Sequence, residues 1–365
     1  MSMQFQDLYS RYKEKEANSF KLLDLFCGCG GISLGFKRQG FEIVGGVDFD
    51  GPSIQTFNRN IGNGRILDLS NSSWVDEFAN QKIDVLVGGP PCQGFSLTGT
   101  RKFDDNRNKL YNAMFIGAKT LNPKIILIEN VRGMATLYNG RAKSEVIRLF
   151  RTLGYNVQVR ILDAANYFVP QHRLRLFFIA TKKGLQFNWP TYSNDEGNFV
   201  TCSDAISDLP SMHNDFSTQI ADYLGPPQSN YQKLMRIGSN KIFNHQATKH
   251  KDFVVETIKQ VPEGGNHKDL PPGVGESRKF NEAWTRYHSQ KPSKTIDTGH
   301  RNHFHYKYNR VPTIRENARL QSFPDNFIFE GSKTQQNRQV GNAVPVLLAQ
   351  RLASSIEKAL KNESR

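Results

Sequence analysis

Short apolar runs recur along the first half of the chain, each closed by Gly, Asp or Pro. "KLLDLF", "EIVGGVDF", "GRILDLS", "IDVLVGG", "KIILIENV", "YNVQVRIL" and "RLRLFFIAT" succeed one another from Lys21 to Thr181. Between several of them lie amphipathic stretches, and their spacing predicts helices over 31–39, 53–60, 111–121 and 143–153. Strand and helix in alternation predict the α/β class: a doubly wound, mostly parallel sheet with helices on both faces. No solenoid-type repeat interrupts the pattern.

The texture changes near Gly184. Residues 185–310 are rich in Pro, Gly, Asn, His and aromatics, and the alternation stops. A second, smaller, loop-rich domain is expected over 185–324, with 1–184 and 325–365 forming the first. Residues 1–18 are polar and read as a tail or frayed helix. A helix is expected over 313–322, stopped before Pro324. The stretch "NAVPVLLAQRLASSIEKAL" is an amphipathic helix able to pack back on the first domain.

Composition narrows the partners. The 365 residues carry a net charge of +14, and 38% are apolar, enough for a real core. Between Tyr231 and Arg310 there are 15 Lys and Arg against 7 Asp and Glu, together with seven of the nine histidines. A phosphate backbone is the simplest partner for such a segment. Four cysteines, at 27, 29, 92 and 202, lack C-x-x-C spacing and make no disulfide framework. With no apolar leader and no run of eighteen apolar residues, a cytoplasmic, nucleoid-associated protein without a membrane span is expected.

The strand ends carry the candidate chemistry. "DLFCGCGG" places Gly28, Gly30 and Gly31 in a turn that lets a ligand approach the backbone at a helix start. Asp48 closes the second strand, where a carboxylate can accept both hydroxyls of a ribose. Asp68, after the third strand, can face an adenine edge. Each acid can equally cap a helix. A dinucleotide site wants a third Gly at position 33, and this chain has Ser33, which counts against NAD or FAD.

"VLVGGPPCQGFS" then ends a hydrophobic run in two prolines and a thiol. Neither proline has an N–H for a sheet ladder, and both stiffen the backbone. Cys92 is thereby presented beyond a strand end, where open α/β sheets gather their ligands, although a lone Cys is more often a small buried hydrophobe. Glu129 ends "IILIE", where partial desolvation would raise its pKa and make it a proton donor near neutrality. Arg173 and Arg175 alternate with leucines, which would put both guanidiniums on one face of a strand.

In this order, "DLFCGCGG", "GGPPCQGFS", "ENV", "QHRLRLFFI", "RENARLQSFPDNF" and "RQVGNAVP" resemble the motifs of cytosine-C5 DNA methyltransferases of bacterial restriction–modification systems. The resemblance covers residues 20–182 and 311–360, and the stretch from 185 to about 310 corresponds to the family's variable target-recognition region. It implies S-adenosylmethionine as cofactor and double-stranded DNA as partner. A cognate restriction endonuclease is a further possible partner, and a monomer is expected. By position, Phe26 and Phe49 would stack on the adenine, Gly28 and Gly30 would take the amino-acid part, and Asp48 the ribose. Asp68 would accept from the exocyclic amine, with Leu69 and Pro90 lining the same cofactor site and Asn342 completing it. Cys92 would be the nucleophile, assisted by Gln93, and Glu129 the acid that holds the cytosine. Arg173 would orient Glu129 and the base, with Gln171 and Arg175 in support, and Arg319 would support the target-recognition region.

The resemblance also explains why such residues are needed. Carbon 5 of cytosine is a poor nucleophile until a thiolate adds at carbon 6, and carbon 6 is out of reach unless the base leaves the stack. Cys27 and Cys29 stand where the family usually has small apolar residues, and read as packing substitutions. His300, His303 and His305 lack a fourth ligand at metal-site spacing, so no metal is expected. Three rivals remain: a tRNA cytosine-C5 methyltransferase on the same fold, a catalytically silent DNA-binding relative, and a nucleotide-dependent oxidoreductase. The basic insert suits duplex grooves, which favours DNA over tRNA. Intact Cys92, Gln93, Glu129 and Arg173 disfavour a silent protein, and Ser33 with the PPCQ turn disfavours the oxidoreductase.

Overall fold

The structure is a computed structural model that describes residues 16–91, 109–193, 198–212, 215–276, 282–299 and 302–362. It divides into two compact units, neither of them one continuous stretch of chain. Among the described residues, the first, the sheet unit, lies within 16–163, 174–191 and 348–362; the second lies within 164–173 and 192–347. The boundaries thus fall at 191/192 and 347/348, where the sequence suggested 184/185 and 324/325. Residues 325–347 group with the second unit because they are bonded into it: Asn244 exchanges hydrogen bonds with the Phe329 backbone, and Lys333 donates to the Ala247 carbonyl.

In the sheet unit the chain runs β1 (Lys21–Leu25), α1 (Gly31–Arg38), β2 (Glu42–Asp48), α2 (Gly51–Asn60), β3 (Gly64–Ile66), β4 (Val85–Gly88), α3 (Lys109–Leu121), β5 (Ile125–Val131), α4 (Arg141–Thr152), β6 (Tyr155–Asp163) and β7 (Leu174–Lys182). Helix limits lie within two residues of those the periodicity suggests. A short 3-10 helix, Ser73–Phe78, occupies the link between β3 and β4 and buries Trp74 and Phe78.

The seven strands lie in the order β3-β2-β1-β4-β5-β7-β6. All pairings are parallel except those of β7, which runs antiparallel to β5 and β6. The order reverses between β1 and β4, so the carboxyl ends of those two strands flank the crevice where doubly wound sheets take ligands. β7 begins at that same end of β5: Val131 pairs with Arg175 and Glu129 with Phe177.

Alternation along the strands supplies both faces. Leu23, Leu25, Leu86, Ile126, Ile128 and Phe178 join one core with Trp74, Phe78, Met114 of α3 and Phe150 of α4. Asp24 faces the other way and meets Ser33 of α1. Two strand glycines admit aromatic rings: a Cβ on Gly45 would lie 2.6 Å from the Phe78 ring, and one on Gly46 would lie 2.3 Å from that of Phe57.

The second unit has little regular structure. It contains α5 (Cys202–Ile206), α6 (Asn230–Met235), α7 (Asp252–Gln260), the two-residue pair β8 (Thr285–Arg286) and β9 (His303–Phe304), α8 (Ile314–Leu320) and α9 (Lys333–Asn342). Capping boxes start four of its helices, with Thr201 and Asp204, Ser229 and Gln232, Thr313 and Glu316, and Ser332 and Gln335. Charge holds much of the rest. The fully buried Arg319 binds Asp208 and Asp325, and Arg310 grips Glu316 with two bonds of 2.8 and 2.7 Å. Burial disfavours charge at Glu316, yet the Arg310 guanidinium holds the carboxyl well below the usual carboxylate range.

The last helix, α10 (Val346–Asn362), passes from the second unit to the sheet unit at 347/348. Its sheet-unit part packs on α1. A Cβ at Gly35 would lie 2.6 Å from the Cβ of Ala349 and 2.7 Å from the Gln350 nitrogen, so only glycine lets the helices come this close. Gln39 adds a buried bond of 2.7 Å to Glu357. Gly35→Val is therefore expected to destabilise the protein by about 1–3 kcal/mol or more. Denaturant titration checks it, and a midpoint equal to that of the unchanged protein would contradict this packing.

Candidate active site

The glycine turn after β1 is built around Asp48. Its Oδ2 accepts the N–H of Gly28 at 2.9 Å and its Oδ1 accepts that of Asp50 at 3.0 Å, which fixes the carboxylate between the turn and the end of β2. Asp48 is thus not the cap of α2. That role falls to Asp50, which accepts from the Ser53 N–H. Burial pushes the Asp48 carboxyl above its usual range, against the pull of the two N–H groups. A Cβ on Gly28 would meet nothing within 4 Å, so space is open above the turn. Gly30 (φ 96°) is closely packed as well, since a Cβ there would lie 2.3 Å from Ile61. Phe26 takes the left-handed region (φ 59°), which costs energy for a side-chain-bearing residue and ends β1 abruptly.

Around that turn the other expected cofactor residues spread. Phe49 is 80% exposed beyond β2, its ring face available for stacking. Asp68 is exposed, with its two oxygens accepting from the Ser70 N–H and hydroxyl, both at 2.8 Å. The neighbouring Leu69 is buried. An open glycine turn, a fixed carboxylate at the next strand end and an exposed aromatic face suit the ribose and adenine of S-adenosylmethionine. Cys27 and Cys29 take no part in such a site. Both are buried, and burial pushes the Cys29 thiol up to about 12 and that of Cys27 well above its usual range.

The second half of the site lies at the ends of β4 and β5. Pro90 is buried; Cys92 and Gln93 lie outside the described residues. Glu129 is largely buried, and its Oε1 lies 3.0 Å from Arg175 Nε. Its Oε2 would stand 3.2 Å from a Cβ on Gly89, so the glycine makes room for the carboxylate beside the turn that leads to Cys92. Behind it, Asn130 donates to the Pro90 carbonyl at 2.9 Å and to the Tyr111 hydroxyl at 3.0 Å. Tyr111 in turn donates to the sulfur of Met134. Asn130 and Tyr111 hold the proline turn, and sequence reasoning missed both. The Asn of "ENV" was the available signal, since a buried carboxamide must find partners.

The arginines divide differently from expectation. β7 starts at Leu174, so Arg173 lies before the strand and the two do not share one of its faces. Arg175, to which the resemblance gave a supporting role, pairs with Glu129. Arg173, buried in the second unit, donates to the carbonyl of Gly341 at 2.8 Å and more distantly to those of Asn342 and Ile296. Asn342 ends α9 with its side chain exposed. Gln171 is wholly buried in the second unit. Arg319 lies in the ionic cluster of that unit, between Asp208 and Asp325. Of the three histidines, His303 and His305 are buried, and His300 lies outside the described residues.

A doubly wound sheet with a glycine turn fixed by Asp48 and a paired acid near the end of β5 suits a nucleoside-containing cofactor beside an acid. The family model for C-5 cytosine-specific DNA methylases matches residues 20–358, and the chain belongs to that family. It is accordingly a DNA methyltransferase whose methyl donor is S-adenosylmethionine. Among curated relatives, the type II methyltransferase M1.HphI of Haemophilus parahaemolyticus is 38% identical over 94% of this chain and 88% of its own. M.DdeI of Desulfomicrobium norvegicum is 35% identical over 93% and 89%. The crystal structure of a DNA modification methyltransferase encoded within an E. coli prophage superposes with a TM-score of 0.76 at 26% identity, covering 94% of this chain and all of that one. S. pombe Dnmt2 methyltransferase, at 18% identity, 93% and 99% coverage and a TM-score of 0.60, shares the fold.

One buried acid stands apart from this chemistry. Asp24, on β1, has Oδ2 bound by the Ser33 hydroxyl at 2.6 Å, while Oδ1 finds no hydrogen-bond partner among the described residues. Burial pushes its carboxyl up to about 7; the Ser33 bond opposes this and the charge of Asp48 adds to it. The folded state therefore holds this proton up to higher pH than the unfolded chain, whose carboxyl titrates near 4. Asp24 lowers stability progressively as pH rises from about 4 to about 7, by up to roughly 4 kcal/mol, and no further above that. Asp24→Asn should gain on the unchanged protein through this window in melting curves taken at each pH. Parallel curves would refute it.

Proposed function

We propose that this methyltransferase modifies cytosine at carbon 5 within one short double-stranded DNA sequence, as the modification partner in a type II restriction–modification system. The observation that carries the reading is the Glu129 carboxylate, paired with Arg175 and seated beside Gly89 at the foot of the Gly-Gly-Pro-Pro turn. An acid held there can protonate the ring of a base brought to the thiol just beyond the turn.

Cys92, as thiolate, adds to carbon 6 of a cytosine flipped from the duplex, and the ring becomes an enamine. Glu129 donates a hydrogen bond or proton at N3, where negative charge develops, and Arg175 keeps its carboxyl in place. S-adenosylmethionine, when bound, supplies an electrophilic methyl group, which carbon 5 then accepts. Water takes the carbon-5 proton, the Cys92 thiolate is expelled and the N3 proton returns to Glu129, which restores the aromatic ring. Phe26, Phe49, Asp48, Asp68, Leu69, Gly28, Gly30, Pro90 and Asn342 hold the cofactor, and Gln93 assists Cys92. The second unit, with its basic loops, reads the target sequence. The protein acts as a cytoplasmic monomer on nucleoid DNA, and a cognate endonuclease would cut the same sequence when it is left unmethylated.

The reading is tested with labelled S-adenosylmethionine, unmethylated genomic DNA and, separately, total tRNA. Nucleosides would be resolved by mass spectrometry and the DNA sequenced after bisulfite conversion. 5-Methylcytosine in DNA at one recurring sequence is expected; label confined to tRNA would replace this proposal with the tRNA enzyme. Cys92→Ala should abolish transfer while leaving DNA binding intact in a gel-shift assay, and retained turnover would remove Cys92 as nucleophile. For Glu129→Gln, single-turnover rates should fall by roughly 10²–10⁴-fold. A near-normal rate would show that the acid lies elsewhere.

A further inference from the structure

Within the second unit, four stretches of chain meet on two buried carboxamides. Residues 170–173 run parallel to 293–296: Ser293 donates from N–H and hydroxyl to the Pro170 carbonyl, and His172 donates to that of Ser293. Beneath them, Gln171 Oε1 accepts the Ile296 N–H at 2.9 Å. Its Nε2 donates to Gln321 Oε1 at 2.9 Å and more weakly to the Leu320 carbonyl at 3.3 Å. Gln321, at the end of α8, passes the chain of bonds on, donating from Nε2 to the carbonyls of Val340 at 2.8 Å and Ala343 at 3.3 Å. Both side chains are wholly buried, and each uses both its oxygen and its nitrogen.

The two ends of this chain of bonds both serve the proposed methyl transfer. At one end the backbone leaves Arg173 and enters β7, where Arg175 is the second residue and the partner of Glu129. At the other end Val340 and Ala343 bracket Gly341 and Asn342, whose carbonyls receive the Arg173 guanidinium. Gly341 is tied in as well, because a Cβ there would lie 2.7 Å from the Asp297 carbonyl oxygen. Carboxamides suit this task because a donor and an acceptor on one planar group fix direction as well as distance. A buried network that is fully satisfied specifies one arrangement, and one that loses a member leaves several polar groups unpaired.

We propose that Gln321, acting through Gln171, is a positioning residue for methyl transfer. It sets the register between residues 170–173, whose chain continues into β7, and the turn that presents Asn342. The inference rests on the proposed DNA methylation, so the unchanged protein serves as its control.

The test compares Gln321→Met, Gln171→Met and the double variant with the unchanged protein in single-turnover methylation. DNA and S-adenosylmethionine are saturating, and each rate is normalised to the fraction of protein that binds DNA. Each single variant is expected to lose at least about tenfold in rate, with cofactor affinity changed by less than about threefold. Because the two side chains act as one relay, the double variant should be no slower than the slower single one. Rates that multiply in the double variant, or that stay unchanged, would overturn the proposal. So would loss of the cooperative thermal transition in all three variants, which would make the pair part of the core alone. Absence of methylation by the unchanged protein would instead overturn the functional reading and leave the relay's geometry without a reaction to serve.

Discussion

The site depends on one reversed strand. In a parallel sheet only carboxyl ends reach the ligand crevice, and each brings its own group there: the glycine turn after β1, Asp48 at the end of β2, the proline turn after β4, Glu129 near the end of β5. Because β7 runs the other way between β5 and β6, its first residues arrive where its neighbour β5 finishes. An arginine at the start of a strand can then neutralise a carboxylate near the end of the next one. The Arg175–Glu129 pair is the result. The pair offsets part of the cost of burying that carboxylate.

Much of this was legible beforehand, for a physical reason. Strands buried on both faces read as unbroken apolar runs, and amphipathic helices separate them, so the alternation exposed sheet, helices and strand ends together. Glu129 stood out because an acid at the end of an apolar run has few places to go. Arg173 and Arg175 were harder. Their spacing shows a shared face only if both lie in one strand, and where a strand starts depends on the neighbour it pairs with. The partners of Asn130 were invisible, since Pro90 and Tyr111 are 40 and 19 residues away. The unit boundaries were misjudged for a similar reason: residues 325–347 contain an ordinary helix, and only their bonds to Asn244 and Ala247 show where they belong.

The second unit is organised by different forces. With strands of two residues and short helices, its backbone groups find few partners in ladders, so side chains take them up. Arg315 donates to the carbonyls of Phe243, Pro324 and Phe327, while Arg286 serves those of Val261 and Ile258. Buried guanidiniums with five donors each can tie irregular loops that no sheet would hold. Histidines are drawn into the same scheme. Burial keeps His245 and His305 down to about 4, so both stay neutral beside the Arg310–Glu316 pair through the physiological range.

The closeness of Gly35 and Ala349 also bears on how the chain matures. These residues are separated by almost the whole polypeptide, with the entire second unit made between them. On a ribosome, the sheet unit waits with one face of α1 bare until the stretch from 348 onward emerges. Contacts this distant in sequence form late and slowly. A cell making this enzyme would therefore hold nascent chains that have made the glycine turn well before the scaffold beneath it is sealed. Methylating capacity would await the arrival of the stretch from 348 onward.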